Sequence, residues 1–303
     1  MGELASLSAS GVWATASLLF ARLGKTVSAL ALNWLKCVIA LMLMMVSMLL
    51  LHGGIWPSEL GMEETLILAV SGVVGLTIGD TAFFHALNRL GPRRTLLLSA
   101  LSPPMTAVMA VPVLGEPLGG AMILGMGLTM GGVVWVILER HPDGDREVEE
   151  RRPDGSFSKK MRWGLFFGIT YACCQALGNV LTKLGGGEIT ALEISVVRLA
   201  FGILGLTMVL AATRRLMETV EPLRHRKTAI LVVVATFLGT FMGIWLMNAG
   251  LRYTYTGIAS TLASTSPIFI LPLAYFIEGE ELSLRSIVGA VIAVAGVAVL
   301  FLV

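Results

Sequence analysis

Asp80 stands inside the run GLTIGDTAFFHALNRLG, residues 75–91, most of whose side chains suit a hydrocarbon solvent. A carboxylate there costs about 2.5–3.5 kcal/mol at the centre of a membrane helix, so it faces protein or water. In that setting its chemistry is to titrate a proton or to hold a cation, and the structural alternative is a pair with Lys36 or with a helix-end amide. Helical spacing puts Phe84 and Asn88 on its face and His85 at the edge. His85 has no second His or Cys, and no acid beyond Asp80, at ligand spacing, so no metal is expected. No Gly-rich phosphate loop and no convincing nucleophile motif occurs, so the sequence asks for no cofactor and offers no catalytic set.

Lys36 and Arg198 each fall eight residues into an apolar stretch, with Glu193 five residues before Arg198. Long basic side chains so placed either snorkel toward headgroups or reach inward, which makes these three candidates for gating or ion pairing, with a solute carboxylate as a further partner. Gln175, Asn179 and Lys183 share one helical face, and a polar stripe on lipid is unfavourable, so that face points into a bundle. Trp13, Trp245 and Asn248 are weaker candidates for the same wall. Pro103 with Ser99 and Ser102, and Pro267 with Ser264 and Ser266, predict two kinked helices, where hydroxyls serve freed carbonyls or line a wet cavity. Glu116 and Glu280 each follow a glycine, in turns where a carboxylate caps the next helix. Gly127 and Gly131, with Gly289, Ala293, Ala295 and Gly296, suit close helix approach.

The elements that must position these residues are membrane spans. Of the 303 residues 55% are hydrophobic and 14% charged, against roughly 25% charged in soluble domains. Apolar runs predict an all-α integral membrane fold of ten helices, at roughly 4–22, 29–51, 64–87, 95–114, 118–138, 163–183, 191–213, 229–250, 257–277 and 285–303. A polar linker, residues 141–162, separates a unit at 1–140 from one at 163–303. Cys37, Cys173 and Cys174 read as small buried hydrophobes. The start MGELAS lacks the basic stretch of a cleaved signal, and an acyl chain would add little to so many spans, so the first apolar run is expected to be a retained span.

The two units repeat. An offset of 164 places Gly79 on Gly243, Ser102-Pro103 on Ser266-Pro267, Gly115-Glu116 on Gly279-Glu280 and Gly125 on Gly289, while slightly smaller offsets place Lys36 on Arg198. Asp80 falls on Ile244, so the acid belongs to one copy only. Five spans per copy give the copies opposite topology, and such pairs hold a site between them near the midplane. Basic residues gather after the odd-numbered spans, seven of them between Arg140 and Arg162, so both termini are expected outside a cell membrane, plasma or inner.

The block SPPMTAVMAVPVLGEPLGGAMILGMGLTMGGVVWV and its partner SPIFILPLAYFIEGEELSLRSIVGAVIAVAGVAVL resemble the EamA-like branch of the drug/metabolite transporter superfamily. The resemblance covers nearly the whole chain, including the basic residue in the second span of each repeat. It implies a ten-helix carrier for small organic molecules, often an exporter of amino acids or related metabolites, with a cavity lined mainly by the first, third and fourth helices of each repeat. Two features depart from the pattern: Lys36 stands where the family more often has Arg, and many relatives are thought to keep both termini inside. The expectation is a secondary transporter that exports a small polar or amphipathic metabolite by alternating access with proton coupling. It has a small-molecule substrate and the lipid bilayer as partners, no nucleic acid, and an open oligomeric state. A flippase for an isoprenoid- or lipid-linked molecule is the nearest rival, followed by a membrane receptor or intramembrane enzyme.

Overall fold

The computed structural model describes residues 1–24, 26–57, 60–137, 159–219, 221–266, 268–269 and 284–302, and every regular element among these is helical. Helices α1 (Gly2–Leu23) and α2 (Ala29–His52) match the first two expected spans. Helix α3 (Met62–Gly72) passes through a π-helical turn, Val73–Gly79, straight into α4 (Asp80–Ser99). Then come α5 (Ser102–Leu114), α6 (Gly120–Ile137), α7 (Lys159–Gly186) and α8 (Ala191–Ala212). Helix α9 (Arg226–Thr236) passes through a second π-turn, Phe237–Met242, into α10 (Gly243–Tyr253), followed by α11 (Thr256–Ala263) and α12 (Leu284–Leu300).

Among the described residues five stretches are long and apolar enough to cross a bilayer: Ala29–His52, Met62–Leu87, Lys159–Gly186, Ala191–Ala212 and Arg226–Tyr253. Ser102–Leu114, Gly120–Trp135 and Ile287–Leu300 are shorter apolar helices. The chain is a multi-pass membrane protein. Lipid tails are as apolar as leucine, so its helices are held together by close van der Waals fit and buried hydrogen bonds rather than by exclusion of water.

Two expected boundaries move. The loop expected near residues 88–94 is helical, because α4 runs on to Ser99. The break falls instead at Ala100 and Leu101, so Pro103 and Pro104 open α5 and do not kink a helix from within. In a first turn the missing proline N–H has no helical partner to lose, which is why the break settles there. The 13 residues of α5 make it about 20 Å long, short of a hydrocarbon core of about 30 Å. Residues 138–158, which hold most of the expected linker, lie outside the described residues, as do Pro267, Pro272 and Glu280; the linker's last residues, 159–162, form the start of α7.

The two π-turns begin at Val73 and Phe237, positions related by the 164-residue offset. A π-turn widens the helix by one residue and disturbs the regular hydrogen-bond ladder, so carbonyls in it seek other donors. Asn33 Nδ2 donates to the Leu76 carbonyl at 3.1 Å and Trp13 Nε1 to that of Gly239 at 2.7 Å. The first turn packs on α7 and α8, the second on α1 and α2, so each leans on the opposite part of the chain. Elsewhere α6 lies along α12, where a Cβ on Gly132 or Gly296 would overlap the facing main chain. Gly127 and Gly131 face open space, so the close approach uses their neighbours on the other side of α6.

Candidate functional site

Asp80 is the first residue of α4, so the preceding π-turn aims it. Its Oδ2 accepts from Lys36 Nζ of α2 at 2.7 Å and its Oδ1 from Gln175 Nε2 of α7 at 3.1 Å. The Lys36 and Asp80 side chains keep only 14% and 15% of their surface exposed. One turn along α4, the Phe84 ring lies under the Lys36 ammonium, 5.6 Å from it, adding a cation–π contact to the ion pair. Three helices thus meet at one carboxylate.

A second polar group forms around Arg198 of α8, which is 5% exposed. Its Nη1 donates to Asn248 Oδ1 of α10 at 2.9 Å, and Asn248 Nδ2 donates to Ser195 Oγ at 2.7 Å. The guanidinium lies against the first π-turn and α7, where a side chain on Gly75 would meet Nη2 at 3.2 Å and one on Gly178 at 3.7 Å. Glu193 does not reach Arg198. It closes a capping box at the start of α8, its Oε2 accepting from the Thr190 N–H at 2.7 Å while Thr190 Oγ1 accepts from the Glu193 N–H at 3.3 Å. Sequence spacing suggested an ion pair; the four unsatisfied amides of a helix start are the stronger local demand.

Toward the end of the molecule that holds the N-terminus, Asn179 Nδ2 donates to Ser260 Oγ at 3.4 Å, and Ser260 meets Thr106 Oγ1 at the same distance. Glu116 lies beyond them, buried. It caps a helix, but not the one that follows it. Its oxygens accept from the Thr256 N–H at 2.7 Å and Thr256 Oγ1 at 2.8 Å, at the start of α11, while α6 begins only at Gly120. Lys183 Nζ pairs with Glu116 at 2.6 Å and donates to the Thr254 carbonyl at 2.7 Å. Gly115, at φ 66, makes the left-handed turn that swings the carboxylate across. An open cleft of about 470 Å³ lies beside this clasp, lined by Glu116, Lys183 and Tyr255 among others.

The remaining candidates lie apart from these clusters or serve backbone. Trp13 holds the second π-turn, and Trp245 packs near Phe241, ring centroids 5.7 Å apart. His85 is exposed, with its ring 5.0 Å from that of Phe167 and Arg89 donating to its carbonyl at 3.0 Å, so it does not share a site with Asp80. Asn88 is on α4, with its side chain outside the described residues. Ser99 ends α4, Ser102 opens α5, and Ser264 and Ser266 donate to the Ser260 and Ala263 carbonyls at 2.9 and 3.3 Å. Ser195 escaped sequence reasoning, although its place three residues before Arg198 puts it on the same helical face. Thr256 carried no signal, because its partner is 140 residues away.

The arrangement offers charge exchange and hydrogen bonding to a polar solute. The sequence profile of the EamA-like transporter family matches residues 1–138 and 162–302. Among solved structures, one titled only as the crystal structure of a protein superposes with a TM-score of 0.77, covering 99% of this chain and 96% of its own at 18% identity, which is a likeness of fold alone. None of the curated proteins compared matches by sequence.

Proposed function

Because the chain belongs to the EamA-like transporter family, a family of membrane carriers and not of enzymes, we propose that it is a secondary transporter exporting a small polar or amphipathic metabolite by alternating access. In this reading residues 1–140 and 163–303 are two inverted five-helix repeats, ten spans in all, with both termini outside as the basic residues direct. The observation that carries it is the reciprocal packing of the two π-turns, each seated on α1 and α2 or on their counterparts α7 and α8. Halves that hold each other by equivalent surfaces can rock while keeping the same kind of interface. The Asp80 carboxylate, shared between Lys36 and Gln175, serves as the proton-responsive group. The inward turn of Lys36 and Arg198 favours a carrier over a flippase, which would need such bases along a groove open to lipid.

Purified protein in liposomes, given a proton gradient and a broad panel of labelled amino acids and related metabolites, should accumulate or expel at least one of them. No gradient-dependent flux for any member would sink the transport reading. Asp80→Asn should flatten the pH dependence of that flux; an unchanged profile would return Asp80 to a purely structural role.

A further inference from the structure

Arg198 carries a charge that the described protein does not neutralise. Its repeat counterpart Lys36 is paired at 2.7 Å with Asp80, but the counterpart of Asp80 is Ile244, so the second copy keeps the base and lacks the acid. Among the described residues no carboxylate comes within ion-pairing distance of Arg198. Asp80, in the neighbouring cluster, has one oxygen on Lys36 and the other on Gln175, and Glu193 is engaged at its helix cap. Nη1 is satisfied by the neutral amide of Asn248, while Nε is buried with no hydrogen-bond partner among the described residues.

A buried cation with an empty donor is costly, and a planar guanidinium edge matches a carboxylate in both geometry and charge. Nη2 lies against the main chain of Gly75 of the π-turn and Gly178 of α7, where a Cβ would come within 3.2 and 3.7 Å of it, so a solute reaches this edge only as those helices part. Asn248 and Ser195 hold the opposite edge, fixing the direction of the fork. We propose that the Nε–Nη2 edge of Arg198 is the recognition point for a carboxylate on the transported solute, with Asn248 and Ser195 as positioning residues. The inference rests on the transport reading above and adds to it the solute class, a carboxylic acid, and the atoms that select it. The solute supplies the negative charge that Asp80 supplies in the first copy.

The test measures melting of the detergent-purified, full-length protein with matched pairs: phenylalanine and phenylalaninamide, leucine and leucinamide, benzoate and benzamide. At least one acid should raise the melting temperature by a few degrees, on the order of 2–5 °C, where its amide does not. Asn248→Asp places an internal carboxylate beside Arg198, and Ile244→Asp restores the acid at the repeat position of Asp80, one turn before Asn248 on α10; each should weaken binding of that acid by roughly 10- to 100-fold. Equal stabilisation by acid and amide, or none by either, overturns the proposal, as does an acid-specific shift that survives both variants. Should an introduced acid prevent folding, Arg198→Lys keeps the charge but loses the planar fork, and an acid-specific shift undiminished in that variant overturns it equally. Flux in liposomes is scored separately. An acid-specific shift without flux keeps the Arg198 site and removes the carrier; flux of amides alone does the reverse.

Discussion

At the scale of single residues, Lys36 and Asp80 present a charge pair whose cost and gain can be separated. Asp80→Asn strands an ammonium among helices, whereas removing both charges leaves nothing to strand. Because each side chain keeps about a seventh of its surface exposed, the coupling should be on the order of 1–3 kcal/mol, below the 3–5 kcal/mol of a fully dry pair. Melting of Lys36→Met, of Asp80→Leu and of the two combined in one cycle measures it; additive effects would mean that the pair does not hold α2 to α4. Glu193→Ala should cost about 1 kcal/mol through the lost capping box and leave flux per folded molecule unchanged. A specific loss of flux would return Glu193 to a gating role. The sequence singled out side chains that the fold buries together here and was a poor guide to whom they meet. Asp80 and Lys36 could be picked out because a charge in an apolar run needs a reason. Glu116 was read as a cap for its own successor because local rules name the nearest helix start, and only the folded chain brings α11 within its reach.

At the scale of elements, apolar length and polar punctuation locate most helices to within a few residues, since hydrocarbon thickness sets their size. The π-turns left no such trace. Their composition, VVGLTIG and FLGTFM, is ordinary for a span, and what defines them is hydrogen-bond register. Register nevertheless aims the site, because everything after a π-turn is rotated relative to a regular helix. Deleting Leu238 removes the extra residue, so α9 should run into α10 as one regular helix with Asn248 still facing Arg198, while the Gly239 carbonyl returns to the helical ladder and loses its bond from Trp13. The expected outcome is a protein that still inserts and remains monodisperse in detergent but has lost flux. Full activity in the deletion would show that the wide turn and its contact with Trp13 are not needed for transport. The same logic explains the misplaced prolines: Pro103 was read as a kink because apolar content continues across residues 95–114, yet the chain breaks where the missing N–H costs least.

At the scale of the whole molecule, the clasp of Glu116, Lys183 and Thr256 joins the turn after α5 to α7 and α11. It therefore links the two copies at the end that holds the N-terminus, while the Lys36–Asp80–Gln175 cluster links them deeper along α4 and α7. If the halves rock about the layer of buried polar contacts, a contact at one end must open when the other closes, and an ion pair with one exposed flank is suited to that exchange. Glu116→Cys with Lys183→Cys, in a background where Cys37, Cys173 and Cys174 are replaced by alanine or serine, places two thiols across the clasp. Cross-linking them with a short bifunctional reagent should arrest flux, and a reducible linker should release it on treatment with a thiol. The single variants, treated alike, should keep most of their flux. Undiminished transport in the cross-linked protein would place the moving boundary elsewhere, and the clasp would then be a fixed brace beside an opening that lies between other helices.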